Sequence, residues 1–136
     1  MPLAPFLHFR GTCAEALNFY GGVFDDPSPT IMRYSEAPEG SAAAGGDRVM
    51  YGAVETGEGR LMASDYPPDQ PGDAQAGVSV SLSCSDPVRA RKVFDRLCDG
   101  GEVIMPWGRT FFAKGFGMVK DRFGTHWMVM IDTEEE

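Results

Sequence analysis

The sequence predicts an α+β fold in which one domain, residues 1–136, contains two successive βαβββ modules. A strand pattern followed directly by a helix pattern occurs twice, at Pro5–Phe24 and at Gly77–Gly101, and short strand patterns follow each pair. Three prolines within Tyr66–Ala76 exclude a regular element between them. We therefore place module 1 at about residues 1–66, a linker at 67–76, module 2 at 77–132 and an acidic tail at 133–136.

Module 1 begins with an apolar strand within Pro5–Arg10 and a helix that ends around Val23 to Asp25. Thr12 and Glu15 have the spacing of a capping box at the start of that helix. Three further strands are predicted at Pro29–Tyr34, Arg48–Thr56 and Arg60–Asp65, with a hairpin turn at Gly57-Glu58-Gly59. The segment Ser35–Asp47 has loop composition and is either a lid or a spacer.

Module 2 begins with the alternating strand Gly77–Ser85, whose apolar face is Val78, Val80, Leu82 and Cys84. Asp86 and Pro87 predict the N-cap and first residue of a helix that Gly100-Gly101 ends. The remaining strands are predicted at Glu102–Met105, Phe111–Phe112 with neighbours, Gly117–Lys120 and His126–Ile131. Superposing the two modules in sequence places His8 on Leu82, so His8 is expected to face the helix.

Charge and cysteine content narrow the range of partners. A net charge of -8 opposes binding to a phosphate backbone, so no nucleic-acid partner is expected. No apolar run approaches the roughly 20 residues of a membrane span, and the N-terminus lacks a signal-peptide pattern.

The chain has an odd number of cysteines, and they form no CxxC motif. Cys13, Cys84 and Cys98 therefore indicate reduced thiols and a cytoplasmic location. Cys13, in the first turn of a helix, is either a packed side chain or a weak candidate nucleophile.

The segment Trp107–Met130 is the part of the chain richest in aromatic residues. Trp107, Phe112 and Phe116 are placed to line a concave pocket, and a packed satellite core is the alternative.

Three motifs carry a resemblance to a known family. They are PxLxFxGxCxEAxxFY at Pro5–Tyr20, LMASD at Leu61–Asp65 and FxxxFGMVxDRFGxxWM at Phe112–Met128. With these motifs the chain resembles the vicinal oxygen chelate superfamily, also called the glyoxalase/bleomycin-resistance/dioxygenase fold, and within it the PhnB-like group. The resemblance implies paired modules forming an eight-stranded open mixed sheet around a cavity, and a homodimer.

The resemblance also implies where a divalent metal would be held in the superfamily's enzymes. The corresponding positions here are Pro5, Ala63, about Ser79 and Met128, and none of these is an imidazole or a carboxylate. No metal cofactor is therefore expected. The alternative is a displaced divalent-metal site built from Tyr51, Asp65 and His126, of which Tyr51 stands where relatives often have histidine. His126 either lines a cavity rim or is exposed to solvent.

Some PhnB-like sequences carry a demethylubiquinone methyltransferase label, which the residues argue against. Binding the methyl donor in the usual way needs a strand, a glycine-rich turn and a helix N-terminus, and neither Gly11 nor Gly21-Gly22 is expected to provide them.

Two functions follow from these observations. The first is binding of a small, aromatic or otherwise planar molecule in a metal-free cavity, as in drug-sequestering relatives. The alternative is a metal-dependent lyase, isomerase or dioxygenase with the displaced site. The candidate ligand contacts are Tyr51, Asp65, Trp107, Arg109, Phe112, Lys114, Phe116 and Met128. For Asp65, Arg109 and Lys114, a solvated surface role is equally open. Alternation along the last strand places Met128 in the cavity and Trp127 in the core, while Trp107 and Phe112 are expected in the cavity.

Overall fold

The computed structural model describes residues 3–36, 46–70 and 72–132 of the chain. They belong to two compact units, Met1–Gln75 (unit 1) and Ala76–Glu136 (unit 2). Most of the predicted loop Ser35–Asp47 and the whole tail Thr133–Glu136 lie outside the described residues.

Unit 1 has the predicted βαβββ order. Its elements are β1 (Phe6–Phe9), α1 (Cys13–Phe24), β2 (Thr30–Arg33), a 3-10 turn (Tyr34–Glu36), β3 (Val49–Glu55) and β4 (Arg60–Asp65). The four strands form one mixed sheet in the order β1-β4-β3-β2, in which β1 runs parallel to β4 and the other pairs are antiparallel. Helix α1 packs on β3 and β4, and Gly52 leaves the space that the Leu17 side chain occupies.

Unit 2 repeats this arrangement. Its elements are β5 (Ser79–Cys84), α2 (Pro87–Cys98), β6 (Glu102–Gly108), β7 (Ala113–Lys120) and β8 (His126–Asp132). The sheet order is β5-β8-β7-β6, with β5 parallel to β8. The cap of α2 is as predicted, because the Asp86 carboxylate accepts a 2.9 Å hydrogen bond from the Val88 N–H and Pro87 is the first helical residue.

One predicted strand in unit 2 is wrong. Phe111–Phe112 lies in the connection between β6 and β7, and β7 runs without interruption from Ala113 to Lys120. Gly115 and Gly117 both lie within β7. A Cβ at Gly117 would lie 2.6 Å from the Phe94 ring of α2, so this glycine allows the helix to approach the strand closely.

Each unit has its own core between its sheet and its helix. In unit 1 the most deeply buried side chains include Leu17, Tyr20, Val23, Val49 and Val54, and in unit 2 they include Val93, Leu97, Val119, Thr125 and Val129. Both α-helices have 12 residues, and none in the described part of the chain is long and apolar enough to cross a bilayer.

Candidate functional site

The two sides of each sheet differ in composition, and this difference locates the candidate site. We call the side that packs on the unit's own helix the helix face and the opposite side the distal face. In β1, Leu7 and Phe9 are buried on the helix face, whereas Phe6 and His8 lie on the distal face and are exposed. The distal face of unit 1 is therefore lined by aromatic rings.

Three of these rings form an almost parallel row. His8 lies between Phe6 and Tyr66, with ring centroids 5.2 Å from each and interplanar angles of 28° and 25°. Tyr51 on β3 extends the row, since its ring centroid is 6.4 Å from that of Phe6. The Ser64 hydroxyl lies 3.3 Å from His8 Nδ1, within hydrogen-bond distance, and fixes the plane of the imidazole. We call Phe6, His8, Tyr66 and Tyr51 the aromatic row.

The prediction that His8 faces the helix is wrong. The sequence superposition paired His8 with Leu82, but Leu82 occupies a helix-face position, as Leu7 and Phe9 do in unit 1. A shift of one residue in a strand moves every side chain to the other face. Because all four side chains of β1 are apolar or aromatic, its sequence does not show a clear alternation that indicates which face is buried.

Asp65, a predicted ligand contact, has a structural role. It is 2% exposed, and its Oδ1 accepts hydrogen bonds from the N–H groups of Gly11 (2.8 Å) and Cys13 (3.0 Å). Its Oδ2 accepts a 2.9 Å bond from the Val49 N–H. Both carboxylate oxygens therefore bind backbone donors, and Asp65 joins β4, β3 and the start of α1.

This carboxylate also replaces the predicted capping box. The Thr12 side chain makes no capping hydrogen bond to α1, and Asp65 from β4 accepts from the first turn instead. Gly11 lies between β1 and α1, as the predicted strand and helix require, and has a φ of 112°. The N–H groups that an external anion would use in such a turn are bonded to the internal carboxylate.

Cys13 is not placed to act as a nucleophile. Its side chain is completely buried in the first turn of α1. Burial, and secondarily the negative charge of Asp65, raise the pKa of the Cys13 thiol well above its ordinary value of 9.0. The thiol is therefore neutral at physiological pH, and the packed role is the one the structure supports.

The distal face of unit 2 is lined mainly by methionine and phenylalanine. Phe116 is 3% exposed, and its ring meets that of Phe112 edge-on at a centroid distance of 5.1 Å. Phe112 is 45% exposed in the β6–β7 connection. Met128 and His126, both half-buried, lie on the same face of β8 as Met130. Phe112, Phe116 and Met128 thus share one surface.

Trp107 does not share that surface. Its indole packs against Phe94 of α2 at a centroid distance of 5.3 Å, with the Arg91 guanidinium 6.0 Å from the ring. A Cβ on Gly115 would lie 2.7 Å from the indole, so the absence of a side chain there makes room for it. The prediction that Trp107 faces a cavity is wrong, because the β6 bulge between Met105 and Gly108 turns Trp107 to the helix face.

Trp127 lies in the core as predicted. It is 2% exposed, and its Nε1–H donates a 2.8 Å hydrogen bond to Asp121 Oδ2. Asp121 Oδ1 accepts from the N–H groups of Phe123 and Thr125, so Asp121 is the structural carboxylate of unit 2. Arg109 and Lys114, the remaining predicted contacts, are exposed at and beside the β6–β7 connection.

The residues at the superfamily's metal positions do not fit a divalent metal. Pro5 and Ala63 have no side-chain donor, and Ala63 is completely buried among apolar residues of unit 1. Ser79 and Met128 provide a neutral hydroxyl and a thioether. Among the residues that the structure describes, no three His, Cys, Asp or Glu side chains group closely enough to hold a metal ion. The displaced site has no free carboxylate, because Asp65 is engaged as described above.

Comparison with known proteins places the chain in a family. The family model described as 3-demethylubiquinone-9 3-methyltransferase matches residues 2–130. The chain belongs to this family. Membership of the 3-demethylubiquinone-9 3-methyltransferase family does not carry the activity in its name to this chain, because one fold supports many functions.

Several relatives of known structure or sequence are similar over nearly their whole length. Protein PA1353 from Pseudomonas aeruginosa has 35% identity and a TM-score of 0.86, with 97% of this chain and 98% of that one covered. A putative 3-demethylubiquinone-9 3-methyltransferase, PhnB protein, from Bacillus cereus has 26% identity and a TM-score of 0.72, with 96% and 99% covered. Protein YjdN from Escherichia coli (strain K12) is 28% identical, with 96% and 95% covered.

A more distant structure confirms the fold. A glyoxalase-related enzyme from Fulvimarina pelagi has 14% identity and a TM-score of 0.62, with 97% of this chain and 88% of that one covered. At this identity the likeness concerns the fold alone. The resemblance to the PhnB-like group and the glyoxalase-like α+β architecture are both confirmed.

Proposed function

We propose that this protein binds a small, planar, largely apolar molecule through the aromatic row on the distal face of unit 1. The observation that carries the proposal is the parallel arrangement of Phe6, His8 and Tyr66 on an exposed surface, with Phe6 42% exposed. Because His8 is stacked between Phe6 and Tyr66, the ring face that is open to a ligand is the outer face of Phe6. The row holds the Phe6 ring in place, so the cost of ordering this stacking surface is already met in the free protein.

The chemical character of the row supports binding without a metal. Its members are two tyrosines, one phenylalanine and one histidine, none of which is a carboxylate. Each stacked aromatic contact contributes about 0.5–1.5 kcal/mol beyond the burial of its area. The hydroxyl of Tyr51 supplies a hydrogen bond at the end of the row. A ligand of this kind is recognised by shape and ring stacking and not by charge.

A second stacking surface is proposed on unit 2, where the half-exposed Phe112 meets Phe116. Arg109 and Lys114, both exposed near it, are the proposed polar contacts there. The two stacking surfaces are proposed independently, one on unit 1 and one on unit 2.

The test is a thermal-shift screen of planar aromatic metabolites and antibiotics. A ligand at about 100 times its Kd should stabilise the protein by about 2.7 kcal/mol. Replacing Phe6 with Leu and His8 with Ala should remove the part of that stabilisation that comes from the aromatic row and leave only what the unit 2 surface provides. Phe111→Leu is the matched control, because Phe111 is 96% exposed and lies outside the row. Failure of every ligand, or equal stabilisation of the double variant, would reject the proposal.

We also propose that the protein is a cytoplasmic homodimer. Strand β6 is at the edge of its sheet and exposes Val103 (47%) and Ile104 (46%), an apolar edge of the kind that a second copy covers. Light scattering at micromolar concentration should give twice the monomer mass, and the monomer mass would contradict the dimer.

A further inference from the structure

Methionine is segregated to one side of the sheet in unit 2. On β7 and β8 the helix-face positions are Val119, Trp127, Val129 and Ile131, and the distal positions include Met118, Met128 and Met130. Leucine or valine would cover an apolar sheet face equally well. Placing thioethers on the accessible face and branched or aromatic side chains on the packed face indicates a use for the sulfur atoms.

Three methionines, one from each of the neighbouring strands β6, β7 and β8, are cross-strand partners, although the β6 pairing has a register shift on each side of Met105. Met105 of β6 is paired with Met118 of β7, and Met118 is paired with Met128 of β8. Side chains opposite each other in a sheet have Cβ atoms about 4.5–5.5 Å apart. Each methionine has three rotatable side-chain bonds, so the three sulfur atoms can converge above β7. Met105 is 43% exposed, and the other two are half-buried and reachable from solvent.

We propose that Met105, Met118 and Met128 form a site for a soft monovalent metal ion, namely Cu(I). Thioether sulfur is a soft ligand that favours Cu(I) and is unsuited to hard divalent ions. His126 lies two positions from Met128 on the same face of β8, where an imidazole nitrogen provides a further ligand. This site is separate from the superfamily's divalent-metal positions and does not depend on the aromatic row.

The thiols of the chain must be separated from the thioethers in any test. Cys13 and Cys84 are buried and Cys98 is partly accessible, so Cys98→Ser provides a suitable background. In that background the protein is titrated with Cu(I) without oxygen, in competition with bicinchoninate. We expect roughly one tightly held Cu(I) per chain.

Leucine substitutions test the sulfur atoms and keep the apolar surface. Met118→Leu and Met128→Leu should each weaken Cu(I) binding by about tenfold or more, since loss of even an outer-shell partner costs that much. Met50→Leu, in β3 of unit 1, is the matched control and should leave the affinity unchanged. Unchanged affinity in the Met118→Leu, Met128→Leu double variant, or complete loss of Cu(I) to bicinchoninate from the parent, would overturn the proposal.

A second readout needs no substitution in the site. With methyl-labelled methionine, Ag(I) serves as a redox-inert probe for the same ligands. The methyl resonances of Met105, Met118 and Met128 should shift together, and that of Met50 should not. Shifts confined to other methionines, or none, would reject the site even if the leucine variants fold poorly.

Discussion

Replacing Asp65 with alanine tests whether this carboxylate holds β4, β3 and the start of α1 together or is available to contact a ligand. The substitution leaves three backbone N–H groups without their acceptor, those of Gly11, Cys13 and Val49. Two of these hydrogen bonds are buried, and an unsatisfied buried donor costs about 1–3 kcal/mol. The Gly11 bond is only partly buried, so water can replace it. We therefore expect Asp65→Ala to lower the free energy of unfolding by about 2–6 kcal/mol.

The matched control is Asp86→Ala at the start of α2. Asp86 is exposed and caps its helix through a single hydrogen bond to the Val88 N–H, so its loss should cost about 1 kcal/mol. Urea unfolding of both variants, followed by circular dichroism, measures the difference. If Asp65→Ala is no more destabilising than Asp86→Ala, the three hydrogen bonds of Asp65 do not stabilise the fold and Asp65 is again a candidate ligand contact.

Three further predictions concern packing and titration. Trp127→Ala should lower the free energy of unfolding by about 3–5 kcal/mol, and Trp107→Ala, at a half-buried site, should lower it by about 1–3 kcal/mol in denaturant melts. In the thermal-shift screen Trp107→Ala should bind the ligand as well as the parent protein does. Gly117→Ala should lower the free energy of unfolding by about 1–3 kcal/mol, because the new methyl group crowds the Phe94 ring of α2. Gly22→Ala, on an open surface of α1, should raise it by about 0.5–1 kcal/mol. The reverse order in denaturant melts would contradict the packing. Folding raises the pKa of the Cys13 thiol, so above pH 9 the thiol ionises only in the unfolded chain. The free energy of unfolding, measured relative to that of Cys13→Ala, should therefore be constant below pH 9 and fall by about 1.4 kcal/mol per pH unit above it. A difference that does not change with pH would contradict this.

The order of elements could be predicted from the sequence because local signals agree with the fold. The Asp86-Pro87 start of α2, the hairpin before Arg60–Asp65 and the strict alternation of Ser79–Cys84 each have a short-range cause. Trp127 could be placed in the core for the same reason, since alternation along β8 determines its face.

The faces of β1 and β6 could not be predicted, because neither strand alternates between apolar and polar residues. In β1 all four side chains are apolar or aromatic, and in β6 a bulge beside Pro106 changes the phase. These two strands decide the positions of His8 and Trp107, so the aromatic row was missed and Trp107 was assigned to the wrong face. The spacing of Phe6 and His8, two residues apart, was the one available signal for a shared face.

The role of Asp65 could not be found in sequence either. Its partners Gly11 and Val49 are 54 and 16 residues away, and local capping rules favoured Thr12. Only the parallel pairing of β1 with β4 brings this carboxylate to the start of α1.

The two histidines provide the most direct test of the proposed function, because one lies on each distal face. Ring proton and carbon resonances of His8 and His126 can be followed by NMR while a ligand from the thermal-shift screen is added. Stacking on the aromatic row predicts a saturable shift of the His8 ring signals, and the His126 signals report separately on the surface proposed for unit 2. An unchanged His8 signal in the presence of a bound ligand would contradict the account.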